Sequence, residues 1–198
     1  MTHDRLVATW LVADPSVEES EVEAWGRSIA AGRSGDVMVQ VSTGRGRLAG
    51  GRGALLVDAA SAAGEPPPPG WCVDLFRAEF VLRQVHAPRG EPELTTTRSM
   101  LLTRTYVPDD MRDEFRDWLQ AEHSQRQLDV PGNNWYLGYE EVGSRHSFMN
   151  FWGIDDPGIA DGEAWDRARL TPWRERMVPA MAGMDRGFYR PVALGGSE

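Results

Sequence analysis

The run from Tyr106 to Gly132 constrains this chain more than any other stretch. Residues 99–107 are β-branched and apolar enough for a strand, and Pro108 stops it because proline has no N–H to give to a ladder. Asp109 or Asp110 then caps a helix whose first turn is acidic, the sign that the helix dipole favours. Phe115, Leu119 and His123 follow at offsets of four, so they share one helix face, and Pro131-Gly132 turns the chain into another strand. A strand, an amphipathic helix and a second strand in such short order demand a sheet with that helix lying on it.

The remaining punctuation extends this unit. Strands at 135–142 and 146–154 form a hairpin, a helix over 163–181 is broken near Thr171-Pro172, and residues 188–192 close with a strand. The order β-α-β-β-α-β is that of a ferredoxin-like unit. The first half starts the same way. A strand at 5–13 precedes a helix with Ser16-Val17-Glu18-Glu19 as a capping box and Val22, Trp25 and Ile29 at helical spacing, and strands follow at 36–42 and 54–58. Residues 59–70 then hold four prolines, which favour an extended connection in place of most of a second helix. Residues 71–86 read either as a short helix and a strand or as one long strand, with a strand over 79–85 preferred. The expected organisation is α+β, two tandem ferredoxin-like halves closing into a barrel, with 1–92 degenerate and 93–198 complete.

With 41% hydrophobic residues, the 198-residue chain can bury a full core. Thirty acidic against 21 basic residues leave a net charge of −9, which repels a phosphate backbone and argues against a nucleic-acid partner. There is no apolar run of membrane-spanning length and no secretory pattern at Met1 to Arg5, so no membrane partner and a cytoplasmic location are expected. The lone Cys72 excludes an internal disulfide or a thiolate zinc cluster, and His3, His86 and His146 match no metal spacing. The glycine- and arginine-rich stretch 44–53 reads as a hairpin connection, or else as an anion site of Arg45, Arg47 and Arg52. Eight tryptophans either line an aromatic cavity or fill a core and an interface.

Phe115, Trp118 and Glu122-His123, then Val130-Pro131-Gly132, the strand Ser147 to Trp152, Thr171 to Met177, and Tyr189 resemble in order and spacing the dimeric α+β barrel superfamily, particularly EthD-like proteins. The resemblance covers residues 99–192. In the first half, Trp25-Gly26-Arg27-Ser28 stands where the Glu-His pair would fall, and no Pro-Gly follows. The resemblance implies a barrel closed between two halves of one chain or between two subunits of a homodimer. It also implies a ligand cavity, in the barrel or between sheet and helices. Its members include cofactor-free cyclases, isomerases, decarboxylases and oxygenases of aromatic compounds, with haem-binding relatives.

The chemistry centres on His123, whose imidazole titrates near neutrality and suits enolisation, ring closure or water removal. The alternative is structural, a hydrogen bond from His123 that orders the loop at Pro131-Gly132. Glu122 points away, to solvent or a neighbouring loop. Alternation on the strand 146–154 puts Phe148, Asn150 and Trp152 on one face, expected to line the barrel, and Met149 and Phe151 on the other, expected to pack on helices. Arg104, Tyr106, Tyr136, Asn150 and Trp152 then suit a phenolic or quinone ligand, or else form a satisfied polar network at an interface. Trp173 adds an aromatic wall. Arg174 and Arg176 either bind a carboxylate or pair with the acidic helix. His123 is also the one histidine placed to ligate a haem. The expectation is a cofactor-independent enzyme acting by general acid-base chemistry on a small aromatic or polyketide-derived molecule, a cyclase or isomerase, or a monooxygenase of this type. The alternatives are a non-catalytic binder of a small hydrophobic ligand and a partner-binding protein.

Overall fold

The computed structural model describes residues 4–32, 35–45, 52–60, 67–94, 97–143 and 147–192, without the side chains of 41–45. His3, His146, Arg47, the side chain of Arg45 and residues 61–66 of the proline-rich stretch lie outside the described residues. In chain order come β1 (Arg5–Ala13), α1 (Glu19–Ala30), β2 (Asp36–Arg45), β3 (Gly53–Ala59) and β4 (Cys72–His86). There follow β5 (Ser99–Tyr106), α2 (Arg112–Trp118), α3 (Ser124–Leu128), β6 (Asn133–Glu141), β7 (Ser147–Ile154), α4 (Glu163–Ala168), α5 (Pro172–Ala180) and β8 (Gly183–Pro191).

All strand pairs are antiparallel, and the strands close in the order β1-β3-β2-β8-β5-β7-β6-β4. Within each half the order is fourth, first, third, second: β4-β1-β3-β2 and β8-β5-β7-β6. This is the ferredoxin-like arrangement, and the barrel is closed by seams between the halves at β2·β8 and β4·β6. Closure therefore occurs within one chain. Among the described residues no helix lies between β3 and β4.

The ambiguous stretch is one strand, and it begins at Cys72 rather than at residue 79. Its length follows from serving two partners. Residues 72–81 pair with β1, and 80–86 pair with β6 across the seam, with a register shift at Leu82/Gln84. That shift interrupts the alternation from which a strand is read.

The barrel interior is filled by Leu6, Trp10, Met38, Leu55, Phe80, Leu102, Leu137 and Phe151 with their neighbours, a core drawn from both halves. Helix α1 covers β1, β3 and β2 from outside through Val22, Gly26 and Ala30. A Cβ on Gly26 would come within 3.0 Å of the Val192 side chain, so glycine permits the close approach. Trp71 packs edge-on against Trp25 at 5.4 Å, closing that flank without a helix. The capping box of α1 does not form. Both Ser16 donors go to Asp14, at 2.6 and 2.9 Å, and the helix starts from Glu18 without a side-chain cap. Neither do Asp109 and Asp110 cap α2; they form a single 3-10 turn, Asp109–Met111, leading into it. No helix of the described residues is long and apolar enough to cross a membrane.

Candidate functional site

The second half carries its helices on the outer face of β5, β7 and β8, and a cavity of about 190 Å³ remains between the layers. Arg112 and Arg116 of α2 reach down to Glu140, which Arg83 of β4 also meets at 3.0 Å. Burial alone would raise the Glu140 pKa, but the Arg116 and Arg112 guanidiniums outweigh it and hold the carboxyl below its usual range. This clamp sets the start of α2 on the sheet.

After Trp118 the helix widens into a single π turn, Leu119–His123, closed by the Ser124 N–H on the Leu119 carbonyl. Two side chains support carbonyls of the widened turn: Ser124 Oγ donates to Leu119 O at 2.7 Å, and Gln125 Nε2 donates to Gln120 O at 3.1 Å. Ser124 Oγ in turn accepts from Gln84 Nε2 at 3.1 Å and lies 3.1 Å from His86 Nδ1. Because the serine proton is spent on Leu119, His86 donates from Nδ1. An i→i+5 turn brings Trp118 and His123 one above the other, and their rings stack at 4.3 Å with 28° between planes. In a regular α-helix that pair would point apart.

His123 faces the cavity, edge-on to Trp152 at 5.8 Å. Its ring makes no hydrogen bond among the described residues, so the expected bond to the Pro131-Gly132 loop does not form. Asn133 holds that loop instead, through Nδ2 to Gln127 O at 2.9 Å. Burial first, then the charges of Arg174 and Arg169, push the His123 pKa down to about 3. The ring is therefore neutral near pH 7. Glu122 turns toward a neighbouring segment. Its Oε1 accepts from Trp118 Nε1 at 3.2 Å and from Thr171 Oγ1 at 2.5 Å. Thr171 also caps α5 by accepting from the Arg174 N–H at 3.1 Å, and Pro172 at N1 separates α4 from α5 as expected.

The sheet divides the expected pocket in two. Asn150, Trp152 and Tyr136 face the helices, not the barrel, and the apolar Met149 and Phe151 fill the barrel instead. Asn150 and Trp152 line the cavity, whereas Tyr136 lies behind them, donating to Asn150 Oδ1 at 2.7 Å. Asn150 Nδ2 donates to Thr103 Oγ1 at 3.3 Å. Burial raises the Tyr136 pKa, so its hydroxyl keeps its proton. Arg104 and Tyr106 are on the opposite side, inside the barrel. Arg104 pairs with Glu141 at 2.8 Å and lies 5.1–5.7 Å from the ring centroids of Trp10, Phe76, Phe80 and Tyr106. Tyr106 donates to Asp185 Oδ2 at 3.0 Å. These two are thus separated from His123 by the strand backbone itself.

Trp173 does not line the cavity; its Nε1 donates to Glu114 of α2 at 3.2 Å. Arg176 pairs with the same carboxylate at 2.5 Å, so surface pairing holds for Arg176 alone. Arg174 instead lines the cavity, with Arg169 and Arg186. Arg52 of the glycine-rich stretch bonds Val17 O at 2.6 Å and Glu18 at 3.2 Å. Lining residues that the sequence did not mark as site residues include Thr103, Trp165, Arg169 and Arg186, and Trp118 was marked only as part of the resemblance. Trp165 and Arg169 are four apart near the end of α4, a spacing that places both on one face, and this was the available signal. The Trp118–His123 pair had none, since its meeting depends on the π turn.

No protein-family model matches the chain, and no curated protein is detectably similar in sequence. Solved structures are similar in fold. An anthrone oxidase-like protein superposes with a TM-score of 0.67 at 14% identity, over 97% of this chain and 94% of its own. A heme-degrading enzyme from Listeria monocytogenes gives 0.56 at 12%, over 94% and 98%. An uncharacterised ferredoxin-fold protein from the same species, related to antibiotic biosynthesis monooxygenases, gives 0.56 at 14%, over 96% and 95%. At such identities the likeness is one of fold, and the fold is the ferredoxin-like dimeric α+β barrel, here with both halves in one chain.

Proposed function

We propose that the chain is a cofactor-independent enzyme that moves a proton on a small aromatic or polyketide-derived molecule held in this cavity, with His123 as the base. The carrying observation is a neutral imidazole, facing an aromatic-walled cavity, whose ring nitrogens make no hydrogen bond among the described residues. Such a ring can accept a proton from a hydroxyl or an activated carbon and return it elsewhere on the same molecule, which is the step common to isomerisation and ring closure. Trp118 and Trp152 hold the imidazole in place, and Asn150, anchored by Tyr136 and Thr103, presents a fixed amide beside it. The names of the fold neighbours, anthrone oxidase-like and monooxygenase-related, support small-molecule chemistry and add oxidation of a deprotonated aromatic by dioxygen to the reactions worth assaying. Kinship with EthD-like proteins is part of this proposal and rests on the Glu122-His123 and Pro131-Gly132 elements.

A haem group, which the name of one fold neighbour raises, does not fit. The cavity of about 190 Å³ lies below the ~300–1,000 Å³ of ordinary ligand pockets, and one side of His123 is covered by Trp118. The low basicity of His123 favours one second reading, a non-catalytic binder of the same ligand. Turnover of hydroxyaromatic and polyketide-like compounds, assayed with and without oxygen, separates the two. His123→Gln should lower turnover about 100-fold or more and leave ligand affinity in place. Full turnover in a folded His123→Gln variant would end the catalytic assignment.

A further inference from the structure

On a chain of net charge −9, the cavity is cationic, and its charges can be paired off one by one. Arg186 pairs with Asp161 at 2.9 Å, and Arg169 pairs with Asp166. Arg174 alone of the lining guanidiniums has no side-chain hydrogen bond or ion pair among the described residues. Its backbone is anchored at the start of α5, where its N–H donates to the Thr171 cap and Thr171 donates to Glu122. Arg176, two residues on, is neutralised on Glu114 outside the cavity. Asp166 and Glu175 act on Arg174 through their fields, but among the described residues none bonds its guanidinium, and burial disfavours its charge. Such a cation beside a small aromatic space calls for one anionic group on a planar body, since a partly desolvated charge is costly until it is paired. At about 190 Å³ the space takes a body of one ring, and Trp118, Trp152 and Trp165 supply apolar walls for it.

We propose that the ligand of this cavity is a small aromatic monocarboxylate, its carboxylate held by Arg174 and its acidic hydroxyl or carbon turned to His123. The inference rests on the cavity being the functional site proposed above and names its ligand class. It also couples binding to chemistry. A carboxylate on Arg174 cancels one of the charges that repel a proton from His123, so the base becomes stronger when the ligand is in place. Arg174 is then a binding residue that also tunes His123.

The test titrates the intact protein with benzoate, 3-hydroxybenzoate and 4-hydroxybenzoate and with the corresponding neutral amides, reading the fluorescence of the lining tryptophans. At least one acid should bind about ten-fold or more tighter than its amide, the scale of a charge-assisted pair. Arg174→Gln should abolish that preference, Arg174→Lys should restore part of it, and Arg176→Gln should leave it intact. In the same samples, NMR titration of the His123 ring should show its midpoint raised by the acid and not by the amide. Equal binding of acids and amides, a preference that survives Arg174→Gln, or no binding of any acid up to about 10 mM would overturn the proposal. Arg174-dependent binding without turnover of any compound would leave this inference standing and remove the enzymatic reading. Turnover of a neutral substrate without acid preference would do the reverse.

Discussion

A histidine with a folded pKa of about 3 is a stability device as well as a candidate base. Its unfolded pKa is near 6.5, so between these values the unfolded chain binds a proton that the native state refuses. Stability is therefore complete above pH 6.5 and falls below it, by up to about 1.4 kcal/mol per pH unit from this one residue. Urea midpoints measured between pH 7.5 and 5 should drop more steeply for the wild type than for His123→Gln; parallel curves would refute the shift. Glu140 acts with the same sign at lower pH, since its depressed pKa contributes stability above the carboxylate range that is likewise lost on acidification through it. Replacing this carboxylate by Gln should cost about 1–2 kcal/mol in chemical denaturation at pH 7, because three partly solvated guanidiniums lose their counter-charge. The sequence marked His123 and Arg174 as residues of interest. It did not show that burial makes the histidine neutral, or that Arg174 and Arg176, two apart, go to different partners.

Among the elements, the π turn decides the site. Ser124, fully buried, supports it from one side and joins it to Gln84 and His86 of β4 from the other. Ser124→Ala should cost about 1–3 kcal/mol by leaving these groups short of partners. It should also weaken the near-ultraviolet circular dichroism of the Trp118–His123 stack while the far-ultraviolet spectrum stays unchanged; an unaltered near-ultraviolet signal would mean the turn does not depend on it. Strand and helix existence was legible because apolar periodicity and proline punctuation act locally, and the Thr171-Pro172 break is an example. The facing of β7 was not legible. Every residue of that strand is buried, so alternation reports two faces without saying which is inside. The reading that sent Asn150 into the barrel failed for that reason, and with it the grouping of Asn150 with Arg104.

At the scale of the molecule, two half-barrels share one interior, with Leu6, Trp10 and Phe80 packed against Leu102, Leu137 and Phe151. We propose 1–92 and 93–198 as the repeat units. On that division neither should fold alone, since each would expose its inner sheet face; the fragments expressed singly should lack dispersed NMR spectra, and mixing them should restore the native one. A folded, monomeric 93–198 fragment would contradict this. The halves also differ in use. Gly26 lets α1 lie directly on its sheet, whereas in the second half the π turn and the separate helices α4 and α5 leave a cavity over β5, β7 and β8. The sequence by itself determined the order of elements, the tandem ferredoxin-like plan and the candidacy of His123, because these follow from local periodicity, turn chemistry and motif. Only the tertiary structure decided that the barrel closes within one chain, which face of each strand looks inward, and that His123, Trp118 and Arg174 share a cavity while Arg104 and Tyr106 do not. Those outcomes depend on long-range strand pairing and on charges brought together from distant segments, which no local pattern encodes.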